Sequence, residues 1–285
     1  MEFKINSLEK ISFGQLFNAF SKAFKDYEMQ VTHDELYKMI HRRGYNAKLS
    51  FGAFHNNDLV SFTLNGTGIY NDLFTAYDTG TGTLESFRGN KLAGKIFNHS
   101  ISFLKDAGVN QYLLEVLQHN KTAVKVYKDF GFKVSREFLY YVLPEKTIDY
   151  KHNISAKAVE ITSITLEQCI NNKNFNDYEP SWQNSFESIS RDLNSFRIRG
   201  VLINSELAGY CISEPTTGDI TQLAVHKEYR RKGIGYSLLK DAIEGITHHS
   251  FKIINIDTRC QSMVSFLSSL GIEPKGKQYE MILEL

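Results

Sequence analysis

The sequence predicts an α/β protein made of two successive, similar domains, residues 1–148 and residues 157–285. Three observations carry that reading. Apolar residues alternate repeatedly between the period of a half-buried strand and the period of a helix. The order of those segments in the first half recurs in the second. Two landmarks also recur at nearly one spacing: Arg88 with Arg230, 142 residues apart, and Gly131 with Gly271, 140 apart. A repeat of that length is the mark of a duplicated domain.

The first half opens on an amphipathic helix around Phe17, Phe20, Ala23 and Phe24. Extended segments follow at residues 49–54, 59–64 and 74–83. A helix starts near Leu92, with Leu92, Ile96, Phe97, Ile101 and Leu104 recurring on one face. A short strand comes next at 112–117, then a helix over 121–129 closed by Gly131, and a last strand at 138–143. The second half repeats the plan. Its strands are expected at 196–202, 207–213, 220–225, 253–256 and 279–283. One helix carries Ile234, Leu238, Leu239, Ala242, Ile243 and Ile246, and another lies near 263–269, followed by Gly271. Between the halves, the stretch from Pro144 to about Ala156 is polar and without clear period, as an interdomain connection is.

Composition narrows the function classes. Hydrophobic residues make up 42% and charged residues 23%, which supports an ordinary core in each half. A formal net charge of +1 leaves no basic footprint for nucleic acid. No apolar run approaches the roughly 18 residues that span a bilayer, and the first residues lack a signal-peptide pattern, so a cytoplasmic location is expected. Cys169, Cys211 and Cys260 are widely spaced, and the nine histidines show no His-Glu-x-x-His spacing, so no metal site is expected.

The segment Arg230-Arg231-Lys232-Gly233-Ile234-Gly235 joins the strand of Leu223, Ala224 and Val225 to an amphipathic helix. A strand-to-helix turn of this kind aims free backbone N–H groups and the positive end of the helix dipole at one point, where a pyrophosphate would bind. Gly233 and Gly235 lack a Cβ, so the backbone can approach phosphate oxygens closely. The first half carries a weaker copy from Thr81, Gly82 and Thr83 through Arg88, Gly89, Asn90 and Lys91 to Ala93, with Lys91 in place of the central glycine. The Lys91 Cβ would crowd a phosphate and its ammonium would attract one; the sequence leaves these opposed effects undecided.

Both loops resemble the acetyl-CoA-binding segment of the GCN5-related N-acetyltransferase superfamily, and the resemblance covers nearly the whole chain, twice. It implies two tandem folds, each a mixed twisted sheet flanked by helices. It further implies that the loop holds the coenzyme pyrophosphate, and that the preceding strand splays from its neighbour to meet the pantetheine arm and the thioester. Acetyl transfer to an amine then poses two proton problems. The ammonium must lose a proton before it attacks, and the departing thiolate should gain one; a carboxylate and a tyrosine suit these tasks. The run Leu114-Glu115-Val116, followed by Asn120, Ala123, Tyr127 and Gly131-Phe132, is similar to the ribosomal-protein alanine N-acetyltransferases of this superfamily. That similarity implies Glu115 as base and Tyr127 as acid. Asn120, suited by type to cap the following helix, is grouped with the coenzyme-binding residues. The second half departs at both catalytic positions, where Asn255 and Leu267 stand.

The expected activity is therefore acetyl transfer from acetyl-CoA, as co-substrate, to a primary amine by direct attack. The acceptor is a small molecule or a protein N-terminus. The rival readings are a non-catalytic acyl-CoA-binding or sensing protein and an enzyme whose active site lies in the second half. Trp182 reads as a core or interface residue. Asp72 and Asp78, although placed to attract an amine, read as solvated loop carboxylates. Cys260 reads as a loop residue without a partner base, and so not as a nucleophile.

Overall fold

A computed structural model describes residues 1–26, 31–144 and 159–285. The chain forms two compact units. One comprises Met1–Val116, Asn120–Ser135 and Glu280–Leu285; the other comprises Leu117–His119 and Arg136–Tyr279. The connection expected over Pro144 to Ala156 falls, beyond Pro144, outside the described residues.

In the first unit, β1 (Lys4–Ser7), β2 (Phe51–His55), β3 (Asp58–Tyr70) and β4 (Leu73–Thr83) pair antiparallel in that order. β5 (Gln111–Leu117) joins β4 in parallel. The end of the last strand of the chain, β12 (Gly276–Glu284), lies beside β5, and Leu285 N donates to Asn110 O at 2.9 Å. Two hairpin turns, Asn56-Asn57 and Asn71-Asp72, hold both central residues at positive φ, the conformation that matches strand twist in two-residue hairpins. Helices α1 (Phe13–Ala23) and α2 (His33–Arg42) each start on a capping box, Ser12 with Gln15 and Thr32 with Glu35. They bury Leu16, Phe20, Leu36 and Ile40 against Phe62 and Leu64 of β3. Helices α3 (Leu92–Asp106) and α4 (Lys121–Asp129) share an aromatic stack in which Phe97 meets Tyr112, Phe130 and Phe132.

The second unit repeats this order. β7 (Ile161–Ser163), β8 (Arg197–Ile203), β9 (Glu206–Glu214) and β10 (Asp219–Val225) pair antiparallel, and β11 (Ser250–Asp257) joins β10 in parallel. Here β11 is flanked by β6 (Lys133–Pro144), which precedes the interdomain connection in sequence. Short helices α5 (Leu166–Asn171) and α6 (Phe186–Arg191) carry Leu166, Cys169 and Ile189 into one cluster. Helices α7 (Ile234–Glu244) and α8 (Gln261–Ser269) fill another with Ile234, Leu238, Leu239 and Leu267. No helix among the described residues is long and apolar enough to cross a membrane.

Candidate active site

Each unit opens its sheet at one place. In the first, parallel pairing of β4 and β5 runs only from Thr75 with Gln111 to Tyr77 with Leu113. In the second, β10 meets β11 only at Asp219 with Lys252. Just beyond, each inner strand carries one extra residue against its antiparallel neighbour. The register slips between Asp78 and Gly80 in β4, and between Ile220 and Gln222 in β10. The residues left over are Thr79 and Thr221, again 142 apart. A bulge bends its strand and strengthens the local twist, so each inner strand turns away from its parallel partner where the bulge sits.

The strand then runs into a loop with the same backbone in both units. A 3₁₀ turn, Glu85–Phe87 or Lys227–Tyr229, is followed by two left-handed positions. These are Gly89 (φ +83°) and Lys91 (φ +56°) in the first unit, and Arg231 (φ +64°) and Gly233 (φ +87°) in the second. Lys91 therefore takes the conformation of the glycine that it replaces, at a cost of about 1 kcal/mol typical of a residue with a Cβ. The first intrahelical bonds are Lys95 N to Lys91 O (3.1 Å) and Ser237 N to Gly233 O (3.0 Å). The N–H groups of Leu92, Ala93 and Gly94, and of Ile234, Gly235 and Tyr236, precede these bonds at the positive end of the dipole. A Cβ at Gly235 would meet only ordinary contacts of 3.7 Å, which accounts for alanine at the matching position 93.

The loop arginines tie the loop to the unit that carries it. Arg230 donates to Val225 O (3.0 Å), to Phe175 O (3.1 Å) and to both Asp177 oxygens (2.8 and 3.1 Å). Asp177 also accepts from Ser262 of α8. Burial pushes the Asp177 carboxyl up, but the bonds from Arg230 and Ser262 outweigh it and hold the group below the ordinary carboxylate range. Arg88 donates to Thr83 O (3.3 Å) and Ala23 O (3.1 Å). Gly82 is needed for packing: a Cβ there would lie 2.7 Å from the Phe62 ring and 3.0 Å from Ala23. Of the other loop residues, Gly89 and Lys91 are exposed in the first unit and Arg231 and Lys232 in the second.

Around the opening of the first unit, strand alternation separates two sets of side chains. Tyr77, its partner Leu113 and Glu115 two residues on share one face, where Tyr77 and Glu115 are hydrogen-bonded. Burial first, and then the Glu115 charge, push the Tyr77 hydroxyl well above its usual range. Arg43, which follows α2, donates to Thr79 O at 3.1 Å. Asp78, Asn65 and Tyr112 share the other face, and the Tyr112 hydroxyl donates to Asn65 Oδ1. Tyr127 of α4 reaches this face and donates to Asp78 Oδ2 at 3.1 Å. Its helix ends on a pair of bonds around Gly131 (φ +94°): Phe132 N to Tyr127 O (3.0 Å) and Gly131 N to Lys128 O (2.9 Å). Asn120 caps the start by accepting from Ala123 N at 3.1 Å. Glu115 and Tyr127 are both half-buried and lie on opposite faces of the opened strand pair.

Asp78 is not a solvated loop carboxylate. It sits in β4 at the edge of the bulge, with Thr81 Oγ1 2.9 Å from its Oδ2, while its Oδ1 is out of reach of solvent and has no hydrogen-bond partner. Burial lifts its carboxyl to about 6, against the opposing bonds of Thr81, Tyr127 and the Gly80 N–H and the charge of Arg43. Asp72, by contrast, is an exposed turn residue.

In the second unit the matching positions serve the interior. Asn255, at φ +62° where β11 loses register with β6, is fully buried. It donates to Ser181 Oγ (2.9 Å) and accepts from Gln278 (2.7 Å). Leu267 and Ile220 lie in the core cluster. The segment Ser181–Asn184 crosses the opening: Gln222 of β10 donates to Asn184 O (2.7 Å), and Asn184 donates to Ile254 O of β11 (2.9 Å). Trp182 is a core residue, 1% exposed, with the Arg191 guanidinium 5.2 Å from its ring. Cys260 stands at the N-cap of α8 and is buried.

The sequence profile of the acetyltransferase (GNAT) family matches residues 13–132 and 162–266. No curated protein matches the chain. Among solved structures, a GCN5-related N-acetyltransferase from Sphaerobacter thermophilus is 12% identical with a TM-score of 0.68, over 99% of this chain and 95% of that one. A tandem GNAT protein from the clavulanic acid biosynthesis pathway is 12% identical with a TM-score of 0.72, over 99% and 98%. A GCN5-related N-acetyltransferase from Anabaena variabilis is 12% identical with a TM-score of 0.61, over 99% and 72%. Identities this low speak to fold alone.

Proposed function

The chain belongs to the acetyltransferase (GNAT) family, in a two-domain form, and from that premise we propose that it transfers an acetyl group from acetyl-CoA to a primary amine at the opening between β4 and β5. One observation carries the choice of unit. Among the described residues, only the first unit pairs a carboxylate, Glu115, and a phenol, Tyr127, on opposite faces of its opened strands at these matched positions.

Acetyl-CoA is a substrate, and it brings the thioester that the amine attacks. The loop from Arg88 to Ala93 offers N–H groups at a helix start for its pyrophosphate. Beyond Tyr77, the β4 backbone that no longer pairs with β5 presents its N–H groups to the thioester carbonyl, an oxyanion-hole role. Glu115 takes the amine proton on one face, and Tyr127 gives a proton to the leaving sulfur on the other. Geometry of this kind needs no covalent enzyme intermediate.

For the second unit we propose coenzyme binding without transfer. Its Arg230 to Gly235 loop has the same backbone as the first. Its acid and base positions are Leu267 and Asn255, and Ser181–Asn184 crosses its opening. Thiol release with a panel of primary amines tests the reading: Glu115→Gln and Tyr127→Phe should each slow turnover while coenzyme binding persists. Full activity in both variants would remove the first unit from the chemistry.

A further inference from the structure

The bond between Tyr127 and Asp78 is awkward for an acid. Tyr127 has one hydroxyl hydrogen, and in this structure the hydrogen goes to Asp78 Oδ2 at 3.1 Å. A phenol whose hydrogen is committed to a carboxylate has none to give to sulfur. Asp78 itself sits at the bulge that opens the strands, with Oδ1 buried and unbonded, an arrangement that costs free energy and that packing alone does not require.

The second unit shows what packing alone accepts. At the matching positions, Asp78 is replaced by Ile220, Thr81 by Leu223 and Tyr127 by Leu267. Ile220 and Leu267 are buried in one core cluster, and Leu223 packs against it. A polar trio in one copy has become an apolar trio in the other, all three positions together. The fold therefore tolerates hydrocarbon at this junction, and the first unit keeps a costly carboxylate beside its phenol.

Resting on the assignment of Tyr127 as acid, we propose that Asp78 is a positioning residue whose own proton decides whether Tyr127 can protonate the leaving sulfur. As a carboxylate, Asp78 accepts the phenol hydrogen and holds it. As a carboxylic acid, it donates to the phenol oxygen, and the phenol hydrogen turns toward sulfur. When the carbon–sulfur bond breaks, its electron pair stays on sulfur. Sulfur takes the Tyr127 hydrogen, and the Tyr127 oxygen takes the Asp78 hydrogen. Asp78 is left as a carboxylate and regains a proton from water after the thiol leaves, while the amine proton goes separately to Glu115. The titratable and charged groups around Asp78 are Tyr127 from α4, Tyr112 from β5, Arg43 from the end of α2 and Tyr77, its neighbour in β4 on the opposite face; among them only Arg43 favours its charged form by charge.

The test is the pH dependence of kcat. In the parent, kcat should fall as pH rises through the range where Asp78 ionises. In Asp78→Asn that falling limb should vanish, with coenzyme affinity little changed. At pH below the Asp78 midpoint, where the parent carries its proton, Asp78→Ala should lower kcat about tenfold or more, and adding it to Tyr127→Phe should cost nothing further, because the two act as one unit. An Asn variant that keeps the limb, or Ala and Phe losses that multiply, overturns the proposal while leaving Tyr127 as the acid. Unimpaired turnover in Tyr127→Phe would remove the acid and this proposal with it. A readout free of turnover is the ¹³C carboxyl resonance that Asp78→Asn deletes. It should titrate well above ordinary carboxylates, and higher still in Tyr127→Phe, which removes a bond to the charged form. An ordinary midpoint, unmoved by Tyr127→Phe, overturns the proposal.

Discussion

Asp78→Asn should change how the stability of the protein depends on pH. The side chain keeps its shape and loses its charge. Burial lifts the Asp78 carboxyl from 3.8 to about 6, so the folded state holds this proton more tightly than the unfolded chain does. The sign follows: the group is destabilising above its folded midpoint, and the penalty fades as pH falls toward the unfolded value. At 1.36 kcal/mol per unit, the shift amounts to about 3 kcal/mol, an upper bound because the residue as a whole is only half-buried. Urea unfolding of parent and variant at about pH 7.5 and about pH 4 isolates the effect, because every other titrating group cancels in the comparison. The parent should gain on the variant by about 1–3 kcal/mol between the two conditions. A gap that does not move with pH, or one that moves the other way, would show that Asp78 is not held as a strained carboxylate.

Other positions give independent checks. Gly233→Glu places a carboxylate at the second-unit loop; since Lys91 already takes the same left-handed conformation, the strain is about 1 kcal/mol and folding should survive. Calorimetry should find weaker coenzyme binding, and affinity equal to the parent would exclude that loop. Gly66→Ala would put a Cβ 2.0 Å from Arg43 O, so the backbone must shift by more than an ångström. That overpacking should cost about 1–3 kcal/mol and disturb the Arg43 bond to Thr79; an unchanged denaturation midpoint would contradict it. Leu267→Ala removes a fully buried side chain and should cost about 2–5 kcal/mol of stability. Leu267→Met should cost about 1.5 kcal/mol or less and leave turnover alone; a large loss of turnover in a folded Met variant would place chemistry in the second unit.

The strands and helices that line the openings were legible because their periods are strong. The helix expected over 121–129 is α4 residue for residue, and Gly131 ends it as its composition suggests. What escaped has physical reasons. Helix α2 is polar enough to show little periodicity, although Thr32 and Glu35 spell a capping box ahead of it. The strand β1 is only four residues long. That β6 flanks β11, and that the end of β12 lies beside β5, depends on pairing between distant residues, which periodicity does not encode. Asp78 lies inside the strand expected over 74–83, yet Asp78-Thr79-Gly80-Thr81-Gly82 has the composition of a turn, and that composition is what suggests a solvated loop carboxylate. Its real setting is a bulged strand, where the extra residue breaks the alternation that would have marked the position as facing inward. Setting the two halves in register would have exposed it, because Asp78, Thr81 and Tyr127 all fall opposite apolar residues.

Transfer at the first unit is the central claim, and a side-by-side measurement of acetyl-CoA turnover in Tyr127→Phe and Leu267→Met tests it most directly. The first change removes a proton and keeps the ring; the second conserves a buried apolar side chain at the matching place in the other unit. If proton donation to sulfur limits the rate, Tyr127→Phe should lose about 10²-fold or more in kcat with coenzyme affinity little changed, and Leu267→Met should match the parent. Parent-level turnover in Tyr127→Phe, with Leu267→Met folded yet inactive, would place the reaction in the second unit and contradict the account.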